Sequence, residues 1–170
     1  GVGGTGGVFF LVAANYNETA ANLKITASGT SANPIIFTKS GSGANPLITA
    51  GVGVSTTLDG IIIFSGADYI QFEGIDLIEN SANTTTTTQM EWGYALLKVD
   101  GTNGSQNITI NNCVITLNKT NLNTKGIYVA NHTPASTTSL TVTAFSGTNS
   151  SNKFYSNVIQ NCYIGMNIAG

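Results

Sequence analysis

The segment Asn107-Ile-Thr-Ile-Asn-Asn-Cys-Val-Ile115 is the clearest unit of a repeat that runs along this chain. Two other segments match it, Tyr69-Ile-Gln-Phe-Glu-Gly-Ile-Asp-Leu-Ile78 and Ser156-Asn-Val-Ile-Gln-Asn-Cys-Tyr-Ile164. After a gap of variable length, each segment is followed by a strand-like run that begins with glycine, at 93–99, 126–130 and 165–169. A unit repeated in this way is typical of a solenoid, in which stacked units extend one continuous core.

Composition and alternation both favour an all-β chain. Thr, Asn, Gly and Ser number 24, 20, 20 and 14 of the 170 residues, and all four are poor residues for a helix interior. In the segment quoted first, strand alternation places Ile108, Ile110 and Ile115 inward and Thr109 and Asn111 outward. We therefore predict a parallel β-helix built from two-strand units, whose inserts of variable length form surface loops.

The whole chain, 1–170, is predicted to form a single β-helix domain. Clear repeats cover 69–99, 107–130 and 156–169, and less regular coils cover 8–64. Within those irregular coils, we expect strands at 8–13, 23–26, 34–38, 47–50 and 60–64. Because the chain opens without Met or a basic leader and breaks off after the last repeat, we expect a fragment of a longer protein.

The charge balance excludes several functional classes. The chain carries six lysines, no arginine and eight acidic residues, for a net charge of −2, so no basic face is available to neutralise nucleic-acid phosphates. A hydrophobic content of 41% is enough to support a core, which argues against a disordered tail. No apolar run approaches the roughly 20 residues that a membrane-spanning helix requires.

Four segments carry a resemblance to a known family. They are Val8-Phe-Phe-Leu-Val-Ala-Ala-Asn-Tyr-Asn-Glu18, Ser28-Gly-Thr-Ser-Ala-Asn-Pro-Ile-Ile-Phe37, Gly66-Ala-Asp-Tyr-Ile-Gln-Phe-Glu-Gly74 and Asn152-Lys-Phe-Tyr-Ser-Asn-Val-Ile-Gln-Asn-Cys-Tyr-Ile-Gly165. Together they resemble the right-handed parallel β-helix proteins, of pectate-lyase-like fold, that Bacteroidota secrete. The resemblance implies a right-handed helix and export, often by the type IX secretion machinery as partner. It also implies display on the bacterial cell surface or release from it.

Polysaccharide lyases and hydrolases share this fold, so a catalytic site has to be sought in the residues themselves. A calcium-dependent lyase would need clustered carboxylates for Ca²⁺ and a basic residue. Asp68 and Asp76 are weak candidates for metal ligands. Glu73 and Lys98 are weak candidates for a catalytic pair, since alternation could place Glu73 outward beside Lys98. The alternative is a solvated acidic face, and the absence of arginine and of a second histidine favours it.

Aromatic residues raise the question of sugar binding. Trp92 and Tyr94, next to the Thr-rich insert 81–89, are weak candidates for a platform on which surface glycans stack. The alternative is that both side chains belong to the wall or the core of the solenoid. His132 is the one histidine, and no partner for it lies nearby in the sequence, which favours a structural role.

Equivalent positions in the repeats also predict structural ladders. Asn112 and Asn161 occupy matching positions, and stacked Asn amides often bond successive coils of parallel β-helices. Cys113 and Cys162 match as well, and stacked buried thiols are the favoured interpretation, with a disulfide or a metal site as alternatives.

These observations favour a non-catalytic, extracellular surface protein, an adhesin stalk or a filament-like structural element. A solenoid end exposes unpaired strand edges, so the expected partners are further coils of the same chain or another copy placed end to end. The alternatives are a polysaccharide lyase or glycoside hydrolase of the same fold, and a carbohydrate-binding module.

Overall fold

The structure, a computed structural model, describes residues 7–169; the two ends of the predicted domain, 1–6 and 170, lie outside the described residues. Within that part the chain forms fifteen strands and one 3-10 turn, Phe145–Gly147. The strands are β1 (Val8–Val12), β2 (Tyr16–Asn17), β3 (Leu23–Ile25), β4 (Ile35–Lys39), β5 (Leu47–Thr49), β6 (Gly60–Ser65), β7 (Ile70–Glu73), β8 (Asp76–Ile78), β9 (Trp92–Leu97), β10 (Thr109–Asn111), β11 (Val114–Thr116), β12 (Lys125–Val129), β13 (Lys153–Tyr155), β14 (Val158–Gln160) and β15 (Ile164–Ile168).

The strands assemble into three parallel sheets of five strands each. The first sheet has the order β1-β4-β7-β10-β13, the second β2-β5-β8-β11-β14 and the third β3-β6-β9-β12-β15. Every third strand therefore joins the same sheet, and we call three successive strands a rung, from rung 1 (β1–β3) to rung 5 (β13–β15). This arrangement confirms the all-β, parallel prediction and is consistent with a β-helix. The repeating unit, however, has three strands rather than the predicted two, because a sharp corner divides each quoted repeat.

The core consists of columns of inward side chains that run from rung to rung. In the first sheet, one column in register contains Phe10, Phe37, Phe72, Ile110 and Phe154. The first three rings stack, with centroids 4.8 and 4.6 Å apart. The predicted inward residues of the central repeat, Ile108, Ile110 and Ile115, are all fully buried. Stacking of like side chains at strand spacing thus removes a continuous apolar surface from water.

Left-handed residues form the corners at both ends of the first-sheet strands. In each of rungs 3, 4 and 5 the strand lies between two positive-φ residues that are five positions apart. These pairs are Tyr69 and Gly74, Asn107 and Asn112, and Ser151 and Ser156, with φ between 54° and 63°. A left-handed residue bends the backbone sharply within one position, so the chain leaves one sheet for the next and the strands stay short.

The third predicted repeat was aligned one strand too far along the chain. Lys153 pairs with Thr109, so Ser151 is the counterpart of Asn107, where the repeat pattern had placed Ser156. The reason is that rung 5 has left-handed residues at Ser151, Ser156 and Asn161, and each interval of five encloses a strand. The sequence pattern therefore marks a strand between two corners and does not say which sheet the strand joins.

The predicted Asn and Cys ladders follow from that misalignment and are corrected with it. Asn112 and Cys113 lie at the corner between the first and second sheets, whereas Asn161 and Cys162 lie between β14 and β15. Asn161 Nδ2 donates to Leu117 O at 2.7 Å, and Asn112 is exposed. Both cysteines are free thiols, Cys113 buried and Cys162 half-buried.

A different polar column bonds the rungs at the corner between the first and second sheets. Its members are Asn15, Asn45, Asp76 and Asn157, one each from rungs 1, 2, 3 and 5. Asp76 Oδ1 accepts hydrogen bonds from Asn45 Nδ2 and from the backbone N–H of Val114, both at 2.8 Å. The side chains therefore satisfy backbone groups at the corner, where the sheets themselves provide no partners.

Three glycines allow the rungs of the third sheet to approach closely. A methyl group added at Gly93 would lie 2.6 Å from Gly126 O, and one added at Gly126 would lie 2.8 Å from Gly165 O. Gly165, in the last rung, has no atom within 4 Å of that position. The described residues include no helix of the length and apolarity needed to cross a membrane.

Candidate functional site

The predicted catalytic pair is not assembled. Glu73 ends β7 in the first sheet and is half-buried, whereas Lys98 follows β9 in the third sheet and is fully buried. The Lys98 ammonium donates to Gly147 O and so holds the 3-10 turn against the third sheet. The prediction was wrong because it treated β7 to β9 as neighbouring strands of a two-strand unit, while β8 and a corner separate them.

Glu73 instead belongs to an array on the outer face of the first sheet. Strand register aligns six outward side chains of rungs 3, 4 and 5, which we call the outer array: Gln71, Glu73, Thr109, Asn111, Lys153 and Tyr155. Gln71 Nε2 donates to Glu73 Oε2 at 3.2 Å, and Lys153 lies in register with Gln71, two rungs further along. A groove of about 240 Å³ passes beside the array and is lined by the corner residues Tyr69, Asn107 and Ser151 together with Gln71 and Lys153.

Asn111 is the unusual member of the outer array. Its side chain was predicted to face outward, yet it is only 6% exposed, because the flanking rungs cover it. Its Oδ1 is buried and has no hydrogen-bond partner. A buried acceptor without a partner costs about 1–3 kcal/mol, and a ligand N–H or O–H would relieve that cost.

The carboxylates that were candidates for Ca²⁺ ligands have structural hydrogen bonds. Asp68 Oδ1 accepts from the backbone N–H of Gln106 at 2.8 Å, and burial raises the pKa of this carboxyl. Asp76 bonds two other rungs, as described above. Among residues 7–169, no three His, Cys, Asp or Glu side chains are grouped so that they could hold a metal ion. Asp68 and Asp76 therefore bond neighbouring coils through backbone and amide groups.

The predicted aromatic platform is buried and cannot stack on a glycan. Tyr94 is fully buried in the core, with its ring 5.5 Å from Phe72 in an edge-to-face contact. Trp92 is only 1% exposed and lies outside the third sheet, where it stacks on Tyr128 at 5.0 Å. Tyr94 follows the inward alternation of β9, and Trp92 is covered by residues from distant inserts, including Leu58.

A polar cleft lies over Trp92, and sequence reasoning missed it. The third-sheet cleft, as we call it, has a volume of about 120 Å³ and is lined by Thr57, Trp92, Asn123, Lys125, Tyr128 and Thr137. These residues come from β9, β12 and three different loops. The Lys125 ammonium lies 5.1 Å from the centroid of the Tyr128 ring. The one usable signal in the sequence was the polar pair Lys125 and Tyr128 within an otherwise apolar strand.

A buried carboxyl group stabilises the loops beside this cleft. Glu91 has no exposure to solvent; its Oε2 accepts from the backbone N–H of Asp59 and its Oε1 from Asn121 Nδ2, each at 3.0 Å. Burial raises the pKa of Glu91 to about 7. Glu79 has a similar role, because its Oε2 accepts from the backbone N–H of Met90 at 2.6 Å. These bonds hold the inserts of rungs 2, 3 and 4 together.

The two outermost rungs leave inward side chains uncovered. Phe10 in rung 1 is 47% exposed, although its counterparts in rungs 3 and 4 are buried. In rung 5, Met166 and Ile168 are 48% and 60% exposed, whereas Ile127, the neighbour of Met166 in rung 4, is fully buried. An apolar cavity of about 200 Å³ opens at the rung 1 end. Within residues 7–169, the strands of both outermost rungs therefore lack a neighbour on one side and leave an apolar interior open.

Comparison with protein-family models, with curated proteins and with solved structures finds no match to this chain. A functional conclusion therefore depends on the surfaces just described: the outer array, the third-sheet cleft and the two open rungs.

Proposed function

We propose that this chain is a non-catalytic structural segment of an extracellular bacterial surface protein, an adhesin stalk or filament-like element, built as a right-handed parallel β-helix. The observation that carries the proposal is the exposure of the core columns at both outermost rungs. Further rungs, from the same polypeptide or from another copy, would pair with those strands and cover the apolar interior. The resemblance to secreted Bacteroidota proteins supports export and surface display.

The test uses one charged substitution at each end. Phe10→Lys places a charge on the rung 1 face, and Ile168→Lys places one on the rung 5 face, where stacking would bury it unpaired. In light scattering after gel filtration, we expect the unsubstituted chain to associate with increasing concentration and each variant alone to be monomeric. An equimolar mixture of the two variants should form dimers, since each retains one intact face.

Three outcomes would contradict the proposal. A variant that still dimerises on its own would show contact between like ends, which does not continue a β-helix. An unsubstituted chain that remains monomeric at all concentrations would show that the open rungs do not accept other rungs. Cleavage of an acidic polysaccharide in the presence of Ca²⁺, lost in Glu73→Gln, would refute the non-catalytic part.

The unpartnered Oδ1 of Asn111 favours a second candidate, a carbohydrate-binding module that uses the outer array. Binding would require the groups that cover Asn111 to move aside, so that a sugar hydroxyl could donate to this buried oxygen. The exposed Tyr155 ring would offer an apolar face. On a glycan array, we expect binding by the unsubstituted chain and by Asn112→Ala, which alters an exposed neighbour outside the array. Asn111→Leu should abolish binding, and an array without any signal would count against this candidate.

A further inference from the structure

Lys125, in the third-sheet cleft, is a cation with unused hydrogen-bonding capacity. Its Nζ donates to Asn123 O at 2.8 Å, and this is its one hydrogen bond among the described residues, although an ammonium has three donors. Burial lowers the pKa of Lys125, and the nearby Glu91 opposes that effect. No carboxylate of residues 7–169 forms an ion pair with this ammonium. An anionic group at the mouth of the cleft would therefore find an unsatisfied, partly desolvated partner.

Tyr128 presents an acceptor to the same cleft. His132 Nδ1 lies 2.8 Å from Thr133 O, and because a carbonyl only accepts, this nitrogen carries the proton. In the tautomer with the proton on Nδ1, Nε2 is an acceptor, and the Tyr128 hydroxyl donates to it at 2.9 Å. The proton of Tyr128 is thus committed to His132. The lone pairs of its oxygen are left to accept from a ligand.

The walls of the cleft limit the size of a ligand group. Asn123 is fixed by a hydrogen bond from its Nδ2 to Thr56 O at 2.9 Å, and the hydroxyl-bearing Thr57 and Thr137 complete the rim. Trp92 forms an apolar floor. A volume of about 120 Å³ corresponds to several water molecules, which is room for a carboxylate and one or two adjacent hydroxyl-bearing carbons.

We propose that the third-sheet cleft binds a hydroxycarboxylate, with the carboxylate on the Lys125 ammonium and an adjacent hydroxyl donating to Tyr128 Oη. His132 is a positioning residue, because it fixes the direction of the Tyr128 proton and does not touch the ligand. The site lies on the third sheet, away from the outer array and from the open rungs. It is therefore independent of the structural function proposed above.

The test is titration of the chain with D-glucuronate, followed by NMR. We expect shifts of the cleft resonances with a dissociation constant of about 1 mM, since few contacts are made. D-glucose, which lacks the carboxylate, should bind at least about tenfold more weakly. Lys125→Met should weaken glucuronate binding by about 10- to 100-fold, the range expected for a hydrogen bond to a charged group. Lys119→Met, which alters an exposed lysine outside the cleft, is the matched control and should bind normally.

Tyr128→Phe tests the ligand hydroxyl contact with Tyr128 separately from the carboxylate contact with Lys125. It should weaken glucuronate binding and leave the binding of acetate, which has no hydroxyl, unchanged.

Equal affinity for glucose and glucuronate, or glucuronate binding that persists in Lys125→Met, would overturn the proposal, and so would a titration without shifts. If Lys125→Met does not fold, the glucose comparison and Tyr128→Phe still decide the matter. A glucuronate-containing oligosaccharide should then be compared with free glucuronate. Tighter binding of the oligosaccharide would identify a polysaccharide as the source of the hydroxycarboxylate, and equal affinity of the two would identify a free acid. Either result supports binding in the third-sheet cleft.

Discussion

Glu91 is a carboxyl group that the fold keeps away from solvent and surrounds with hydrogen-bond donors. The N–H of Asp59 and the amide of Asn121 stabilise its charged form, yet the loss of hydration outweighs them and the pKa rises to about 7. Two charged groups also act on it: Asp59 raises the pKa further, and Lys125 lowers it. At neutral pH the group is therefore close to half protonated.

A pH dependence of stability follows from this group. The folded-state pKa of Glu91 lies above its unfolded value of about 4.5, so the folded chain binds more protons between those values. Its stabilising contribution is complete below about pH 4.5 and is lost as the pH rises through 7. We expect the free energy of unfolding to fall by about 1–3 kcal/mol between pH 5 and pH 8, which lowers the melting temperature by several degrees.

The measurement is thermal unfolding at a series of pH values. Glu91→Gln should remove most of the decrease between pH 5 and pH 8, although the raised pKa of Glu79 leaves part of it. Asp100→Asn is the matched control, because Asp100 is exposed and its pKa is lowered, so its titration lies below this range. A decrease of equal size in Glu91→Gln would show that the carboxyl does not control the effect.

The strands show which features of a sequence are locally encoded. All five strands expected in the irregular region were confirmed to within one or two residues at each end, because apolar alternation and Gly or Pro punctuation are local signals. The short strands β2 and β13 were missed, and β8, β11 and β14 were not separated from their neighbours. A left-handed corner at Asn112 or Ser156 leaves no unique mark in the sequence, since many asparagines and serines are not left-handed.

The candidate site was less predictable, because its contacts are distant in the chain. The pairing of Glu73 with Lys98 needed the assignment of each strand to a sheet. The burial of Trp92 depends on Tyr128 and on Leu58, which come from other rungs. Neither contact has a signature in the sequence near Trp92.

The close approach at the glycine column leads to a prediction for the third sheet. Gly126→Ala forces a methyl group to within 2.3 Å of Ile159 Cγ2 and 2.8 Å of Gly165 O, and backbone cannot move away freely inside a sheet. We expect a loss of about 2 kcal/mol or more in urea unfolding. Gly165→Ala, the same change in the next rung, meets open space and should change stability by less than about 0.5 kcal/mol. Equal losses in the two variants would contradict the packing described here.

At the scale of the whole molecule, the strands of each rung pair only with strands of the adjacent rungs, so the burial of an inward side chain depends on whether a rung covers it on both sides. Among the inward strand side chains, those of rungs 3 and 4 are buried, whereas Phe10, Met166 and Ile168 in the outermost rungs are largely exposed. This is the behaviour of an array in which stability is a sum over rungs and over the contacts between adjacent rungs.

Truncation of one inward isoleucine in each of rungs 4 and 5 should reveal this gradient. Ile127→Ala in rung 4 removes a fully buried side chain and should cost about 2–5 kcal/mol. Ile168→Ala in rung 5 removes a side chain that is 60% exposed and should cost less than about 1 kcal/mol. Chemical denaturation monitored by circular dichroism provides both values. Similar costs at the two positions would mean that the end of the array is already covered, by self-association for example.

Because the space above Gly165 is empty, a substitution at this position can report whether a further rung follows rung 5. Alanine is tolerated there only while no backbone lies above it, because the corresponding positions in rungs 3 and 4 meet a carbonyl oxygen of the next rung. In cells that express a longer polypeptide, selection against alanine at position 165 would therefore reveal a following rung without a structure determination. Tolerance of alanine there would mark the place where the array stops.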